Sequence, residues 1–172
     1  MTRPIDRDAI DRLAVEHLPV ALRMALRLAG DADLAEEMVQ ETLCRVLRQW
    51  RTFRGEASFR SWLLQILVNV DRDRRRRRSH QSIDENHEAV DRRESAAESA
   101  AASELEGRVR REVERLPERQ REVALLSWGE GLAAEIAVVL EITEANVYAT
   151  LHVARKRLAQ VLGVDLARSD RS

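Results

Sequence analysis

Apolar residues recur along the chain at the three-and-four spacing of helices that bury one face, and these stripes mark out a succession of helices. Residues 6–29 carry the first, with Ile10, Leu13, Val15 and Leu18 apolar. Pro19 removes a backbone donor from that run, which predicts a kink or two shorter helices meeting near Leu18. Gly30 is placed to end the segment as a C-cap. Asp33, with Glu36 three residues on, reads as a variant capping box opening the next helix. Its stripe is Leu34, Met38, Val46, Leu47 and Trp50, and its opposite face holds Glu37, Gln40, Glu41 and Arg48. Gly55 breaks the pattern, and Ser58 can cap a third helix with the stripe Phe59, Trp62, Leu63, Ile66, Leu67 and Val70. That helix runs out into Arg72 and Arg74 to Arg78, cations that suit the negative end of the macrodipole.

Residues 79–103 are polar, acidic and rich in Ser and Ala, with little apolar periodicity. They read as a flexible linker, partly helical near its end. From about Glu104 a second helical module begins. Val109, Val113 and Leu116 mark one helix, and Pro117 suits the first turn of another that carries Val123, Leu126 and Trp128. Gly129 and Gly131 punctuate. A short helix from Ala133 to Leu140 then leads into a long one with Val147, Leu151, Ala154 and Leu158 on its inner face and Thr143 as N-cap. Short helix, tight turn and long helix make a helix-turn-helix pattern.

Composition agrees with an all-α chain. Aromatics are 3% of 172 residues and Gly and Pro together number nine, too few for a turn-rich all-β protein, while Ala, Leu, Glu and Arg favour helix. The length permits two small domains, expected at 1–78 and 104–172 with the acidic linker 79–103 between them. Net charge is −1, but its distribution is uneven. Residues 1–79 carry net +4, residues 80–107 net −6 and residues 108–172 net +1. Such asymmetry fits separate modules. Cys44 is alone, which fits a reducing cytoplasm and leaves no disulfide framework. No apolar run reaches the length of a membrane span, and MTRPIDRDAIDRL lacks a signal-peptide core, so no membrane insertion is expected.

The arginine-rich window 72–78 points to phosphate, which Arg binds through charge with release of counterions. A recognition helix would present its outward N-terminal side chains to a major groove. Here these include Glu144, Ala145, Tyr148, Ala149 and His152, with Arg155 and Lys156 further along for phosphates, and Asn146 is suited to adenine if it faces out. The four histidines show no metal-ligand spacing, and no nucleophile motif, phosphate-cradling glycine loop or paired-carboxylate site stands out. An enzyme is therefore not expected, nor a metal or other cofactor.

Two stretches resemble the extracytoplasmic-function group of the sigma-70 family, in that family's order. The first is GDADLAEEMVQETLCRVLRQW (30–50) followed by FRSWLLQILVNVDRDRRRR (59–77). It matches at Gly30, Asp31, Ala35, Glu36, Glu37, Gln40, Glu41, Phe59, Trp62, Leu63, Asn69, Asp73 and Arg76. The second is LPERQREVALL (116–126), then EIAVVLEITEANV and LHVARKRL, which resembles the family's domain four.

The resemblance implies an RNA polymerase sigma factor, with bacterial core polymerase and promoter DNA as partners and an anti-sigma protein as regulator. It implies that Glu37, Gln40 and Glu41 contact polymerase, where an acidic and amide face suits a basic surface. Asn69, Arg72, Asp73 and Arg76 would work at the −10 element, where bases are extracted at a cost of a few kcal/mol. Phe53, between helices, is the candidate for stacking on exposed bases, while Trp50 and Trp62 read as core. Thr143, Asn146, Tyr148, His152, Arg155 and Lys156 would address the −35 element. The acidic linker would thread toward the RNA path and mimic nucleic acid there. The chain departs from the family pattern at five points. One residue is missing between Gly131-Leu132 and Glu135-Ile136-Ala137, Glu141 stands at the turn usually held by Gly, and Tyr148, Ala149 and Val153 stand where basic or hydroxyl residues are usual. These departures reduce −35 contacts. They leave room for a degenerate sigma paralogue, and the helix-turn-helix alone leaves room for a stand-alone regulator.

Overall fold

The chain enters its first helix at Asp6, whose carboxylate accepts the Ala9 N–H at 2.7 Å and satisfies one of the orphan donors of a helix start. The structure is a computed structural model and describes residues 6–81, 100–129 and 131–163. There the regular elements are all helical. Helix α1 spans Arg7–Ala29 without a break. Of the two outcomes expected at Pro19, a kink or a division, the division into two shorter helices does not occur. Pro19 and Val15 both lie on the exposed face, so the carbonyl that loses its helical donor is open to solvent.

Gly30 adopts φ 71° and returns its N–H to Leu26 O at 2.9 Å, ending α1. The extended residue that follows, Asp31, caps α2 (Ala32–Gln49) by accepting from Leu34 N at 2.9 Å. The sequence pointed to Asp33 instead. The left-handed turn at Gly30 starts the helix two residues sooner and leaves Asp33 inside the first turn, where its charge still suits the dipole. A 3-10 turn at Trp50–Thr52 leads to α3 (Phe59–Gln81), capped by Ser58 Oγ, which accepts from Ser61 N at 3.0 Å. Helices α1, α2 and α3 pack on one another through Ile10, Met24, Leu28, Ala35, Met38, Val46, Leu63 and Leu67, all buried.

Helices α4 (Ala100–Glu114), α5 (Glu118–Ser127), α6 (Ala133–Leu140) and α7 (Glu144–Leu162) form the second half. Thr143 caps α7 by accepting from Asn146 N at 3.2 Å. Helices α6 and α7 meet at 99°, a helix-turn-helix angle. Glu141 makes the corner at φ 55°, ψ 46°, a left-handed conformation that costs an L-residue roughly 1–2 kcal/mol.

The two halves are closed on each other. Helix α3 packs on α6 and α1 on α5. A single buried apolar cluster runs from Met24, Leu64 and Leu67 across to Leu126, Ile136 and Val139. Residues 82–99, most of the expected acidic linker, lie outside the described residues. So does the nucleic-acid mimicry expected of that segment.

Candidate nucleic-acid interface

Three surfaces carry the residues singled out in the sequence. On α2, Glu37 and Gln40 are exposed and Glu41 is half-buried, one turn on from Glu37. Cys44 and Leu47 continue the same exposed strip. Arg45 Nε donates to Glu41 at 2.8 Å. That hydrogen bond holds the Glu41 carboxyl below its ordinary pKa and raises that of Arg45.

On α3, the structure gathers Asn69, Arg72, Asp73 and Arg76, but not as free cations. Arg72 donates through Nη1 to Asn69 Oδ1 at 3.1 Å. Its Nε and Nη2 form a two-pronged pair with Glu122 of α5, at 2.6 and 2.8 Å. The hydrogen bond to Glu122 raises the pKa of Arg72 above its ordinary value. Asp73 accepts from Arg45 Nη1 at 2.9 Å and from Arg76 Nη2. Arg76 is itself well exposed, and Arg77 and Arg78 are exposed beyond it.

Phe53 is placed differently from the expectation. It is half-buried, with its ring 5.1 Å from that of Trp62 and 5.4 Å from that of Phe59. Both faces of a base-stacking ring must be reachable, or at least one wholly so, and here the neighbouring rings take up contact surface. Trp50 and Trp62 pack against the core, as read from their stripes.

On α7, the groove-facing set is open. Thr143, Asn146, Tyr148, His152, Arg155 and Lys156 are all exposed, Tyr148 at 62%. Asn146 faces out, while Val147 and Ala154 face in. The neighbouring positions Ala149 and Val153 are exposed too and offer no donor.

Sequence reasoning missed the polar residues that join the halves. Asp71 is 1% exposed and receives Arg74 at 2.7 Å, Arg75 at 2.9 Å and Arg121 at 3.2 Å. Arg75 also reaches Glu114 of α4 and Leu28 O of α1. Its burial alone would lower its pKa, but Glu114 and Asp71 outweigh that and raise it. Burial, and next the Arg75 charge, lowers that of Arg121. Arg60 pairs with Glu135 at 2.9 Å, and Arg110 donates to Gly30 O at 3.0 Å. One signal was present. Val123 to Leu126 are four consecutive apolar residues, which a helix can bury only if it is covered on all sides, and Arg121 and Glu122 precede them directly.

Among the described residues no cluster of three or more His, Cys, Asp or Glu could hold a metal ion. No single helix there is long and apolar enough to cross a membrane.

Comparison with known proteins gives two family matches. Residues 13–81 match Sigma-70 region 2, and residues 106–158 match Sigma-70, region 4. The chain is 30% identical over 149 residues to the ECF RNA polymerase sigma factor EcfG of Rhodopseudomonas palustris, covering 86% of this chain and 82% of that protein. It is 32% identical over 162 residues to the ECF RNA polymerase sigma factor SigM of Mycobacterium tuberculosis, covering 92% and 79%. Among solved structures, the sigma factor RpoE in complex with the anti-sigma factor NepR from Bartonella quintana matches with a TM-score of 0.71. Identity to RpoE is 23%, over 90% of this chain and 97% of that one, so the likeness is one of fold.

Proposed function

The chain belongs to the extracytoplasmic-function group of the sigma-70 family, and from that premise we propose how its surfaces share the work of starting transcription. It acts as an RNA polymerase sigma factor: it binds bacterial core polymerase, directs it to promoters and helps open the DNA. The chemistry of RNA synthesis belongs to polymerase, and this chain contributes binding alone, in the cytoplasm where polymerase and promoter meet. The observation that carries the reading is that both sigma-70 regions match one chain in order, the first over α1–α3 and the second over α4–α7.

In this reading the first domain, residues 1–78, docks on polymerase through Glu37, Gln40 and Glu41. The solvated acids steer the encounter with a basic surface, and salt weakens it. Asn69, Arg72, Asp73 and Arg76 face the −10 element, the cations following the displaced backbone while bases are drawn out of the stack. The second domain, residues 104–172, sets α7 in the major groove of the −35 element. Asn146 is the adenine reader, and Tyr148 and His152 lie alongside it. Arg155 and Lys156 hold phosphates. With Ala149 and Val153 offering no donor, this contact is thin in base-specific bonds, and promoter choice leans on the −10 element. RpoE is seen with an anti-sigma factor and CnrH with the cytosolic domain of CnrY, and a partner of that kind is the regulator we assign to this chain.

The test is a binding titration of the purified protein against sigma-free core polymerase. Replacing Glu37 and Glu41 by Lys and Gln40 by Ala should weaken binding about tenfold or more, through lost and reversed charge at the interface. Unaltered affinity in that triple variant would remove the polymerase-contact assignment.

A further inference from the structure

We propose that α7 reads its duplex through pyrimidine methyl groups: Ala145, Ala149 and Val153 form an apolar row that selects the C5-methyl of thymine and accepts that of 5-methylcytosine in its place. The proposal rests on the placement of α7 in a major groove made above, and it names the chemical feature that this helix recognises there.

The row follows from spacing and exposure. The three residues stand four apart on one helix, so they share a face. That face lies away from the buried Val147 and Ala154, and all three residues are exposed. Val153 is 48% exposed, and a solvated helix face gains nothing from a bare β-branched side chain. Neither a methyl nor an isopropyl group donates or accepts a hydrogen bond. Of the features that base pairs present in the major groove, the one such groups bind is the thymine C5-methyl. The short side chains at 145 and 149 also let the helix approach the base edges closely.

The neighbouring side chain agrees on the base pair. Asn146 is exposed and suits the N6 and N7 edge of adenine. Ala149 is three residues on, hence beside it on the helix surface. An A·T pair shows the adenine edge and the thymine methyl in the same groove, so Asn146 and Ala149 address the two bases of one pair. Successive members of the row are about 6 Å apart along the axis, close to two base steps of about 3.4 Å. The methyls recognised therefore fall about two steps apart. His152 shares the exposed face and brings a ring N–H.

Reading by methyl groups has a consequence that reading by hydrogen bonds does not. Deoxyuridine presents the donors and acceptors of thymine and lacks only the methyl. 5-Methylcytosine adds the same methyl to a C·G pair. A helix that reads by hydrogen bonds ignores both changes, whereas this one responds to each, by about three- to fourfold for every methyl it covers. Cytosine methylation within the upstream element strengthens the contact with no change of sequence.

The test uses the full chain bound to sigma-free core polymerase. The complex selects duplexes from a genomic fragment library. A selected duplex is then remade with deoxyuridine for the thymines of its upstream motif, its downstream motif left as it was. Affinity should fall about three- to fourfold for each methyl contacted. Cytosine in place of one such thymine should bind weakly, and 5-methylcytosine there about three- to fourfold more tightly than cytosine. The variant Ala149→Ser with Val153→Thr, altered at exposed positions and checked for its fold by circular dichroism, should lose most of the difference between thymine and deoxyuridine. Equal affinity for the two duplexes in the original protein would overturn the proposal. So would an undiminished difference in the double variant, which would put the methyl contact on another surface. Selected fragments with no shared upstream motif would remove α7 from the groove and the proposal with it. Failure to hold polymerase, seen before any duplex is added, would overturn the sigma-factor reading and this proposal together, whereas a failed deoxyuridine comparison leaves that reading intact.

Discussion

Arg45 on α2 and Asp73 on α3 are joined at 2.9 Å, and the same guanidinium holds Glu41 at 2.8 Å. One side chain therefore connects an acid assigned to polymerase with an acid assigned to the −10 surface. These pairs are partly exposed, so their worth to stability is small, about 0–1 kcal/mol. Arg45→Ala should leave the unfolding midpoint nearly unchanged yet lower both core-polymerase affinity and the yield of open promoter complexes. Parallel titrations and permanganate footprinting check this. An open-complex yield equal to that of the unaltered protein would show that the bridge has no part in function.

Asp71 sits among three arginines, Arg74, Arg75 and Arg121, and is almost wholly buried. Asp71→Asn keeps the shape and removes the charge. Buried pairs broken on one side typically cost about 3–5 kcal/mol, and denaturant unfolding should register a loss of that order. A loss below about 1 kcal/mol would place these arginines in solvent rather than in the seam.

The cap of α2 offers a sharper test. Asp31 accepts the Leu34 N–H, whereas Asp33 lies in the first turn. Asp31→Ala should cost about 1 kcal/mol and Asp33→Ala only a few tenths. Thermal unfolding of the two variants compares them directly, and equal effects would return the cap to Asp33.

That pair of aspartates shows where the sequence was legible. Stripes fixed by helical period, such as Phe59 to Val70, and caps fixed by local chemistry, such as Ser58, Thr143 and Gly30, could be read because their partners lie within a few residues. The α2 cap was missed by two positions because the turn at Gly30 decides it. Pro19 does not split α1, the division that the sequence allowed beside a kink, because a helix tolerates proline where the freed carbonyl faces water. The arginine run after Val70 was read as one outward cluster, and here the sequence was least informative. Arg72 and Arg75 find their acids on α5 and α4, 50 and 39 residues away, and no local pattern encodes that. Phe53 likewise looked free because its ring partners, Phe59 and Trp62, lie across a turn.

Glu141 holds the corner of the helix-turn-helix at φ 55°. Glycine adopts that conformation without steric cost, at the expense of greater freedom in the unfolded chain. The two effects leave Glu141→Gly more stable by about 0.5–1 kcal/mol, seen as a higher Tm. A lower Tm would mean that Glu141 makes a compensating contact of its own.

As a sigma factor, this chain selects promoters for polymerase. The most direct measurement is transcription by sigma-free bacterial core polymerase, supplemented with the purified protein, from a genomic fragment library, with the transcripts sequenced from their 5′ ends. The expected result is a set of discrete start sites sharing an upstream motif, absent when the protein is left out and diminished in Arg76→Ala. Polymerase that binds the protein yet starts at no shared motif, or does not bind it at all, would mean that this chain does not select promoters.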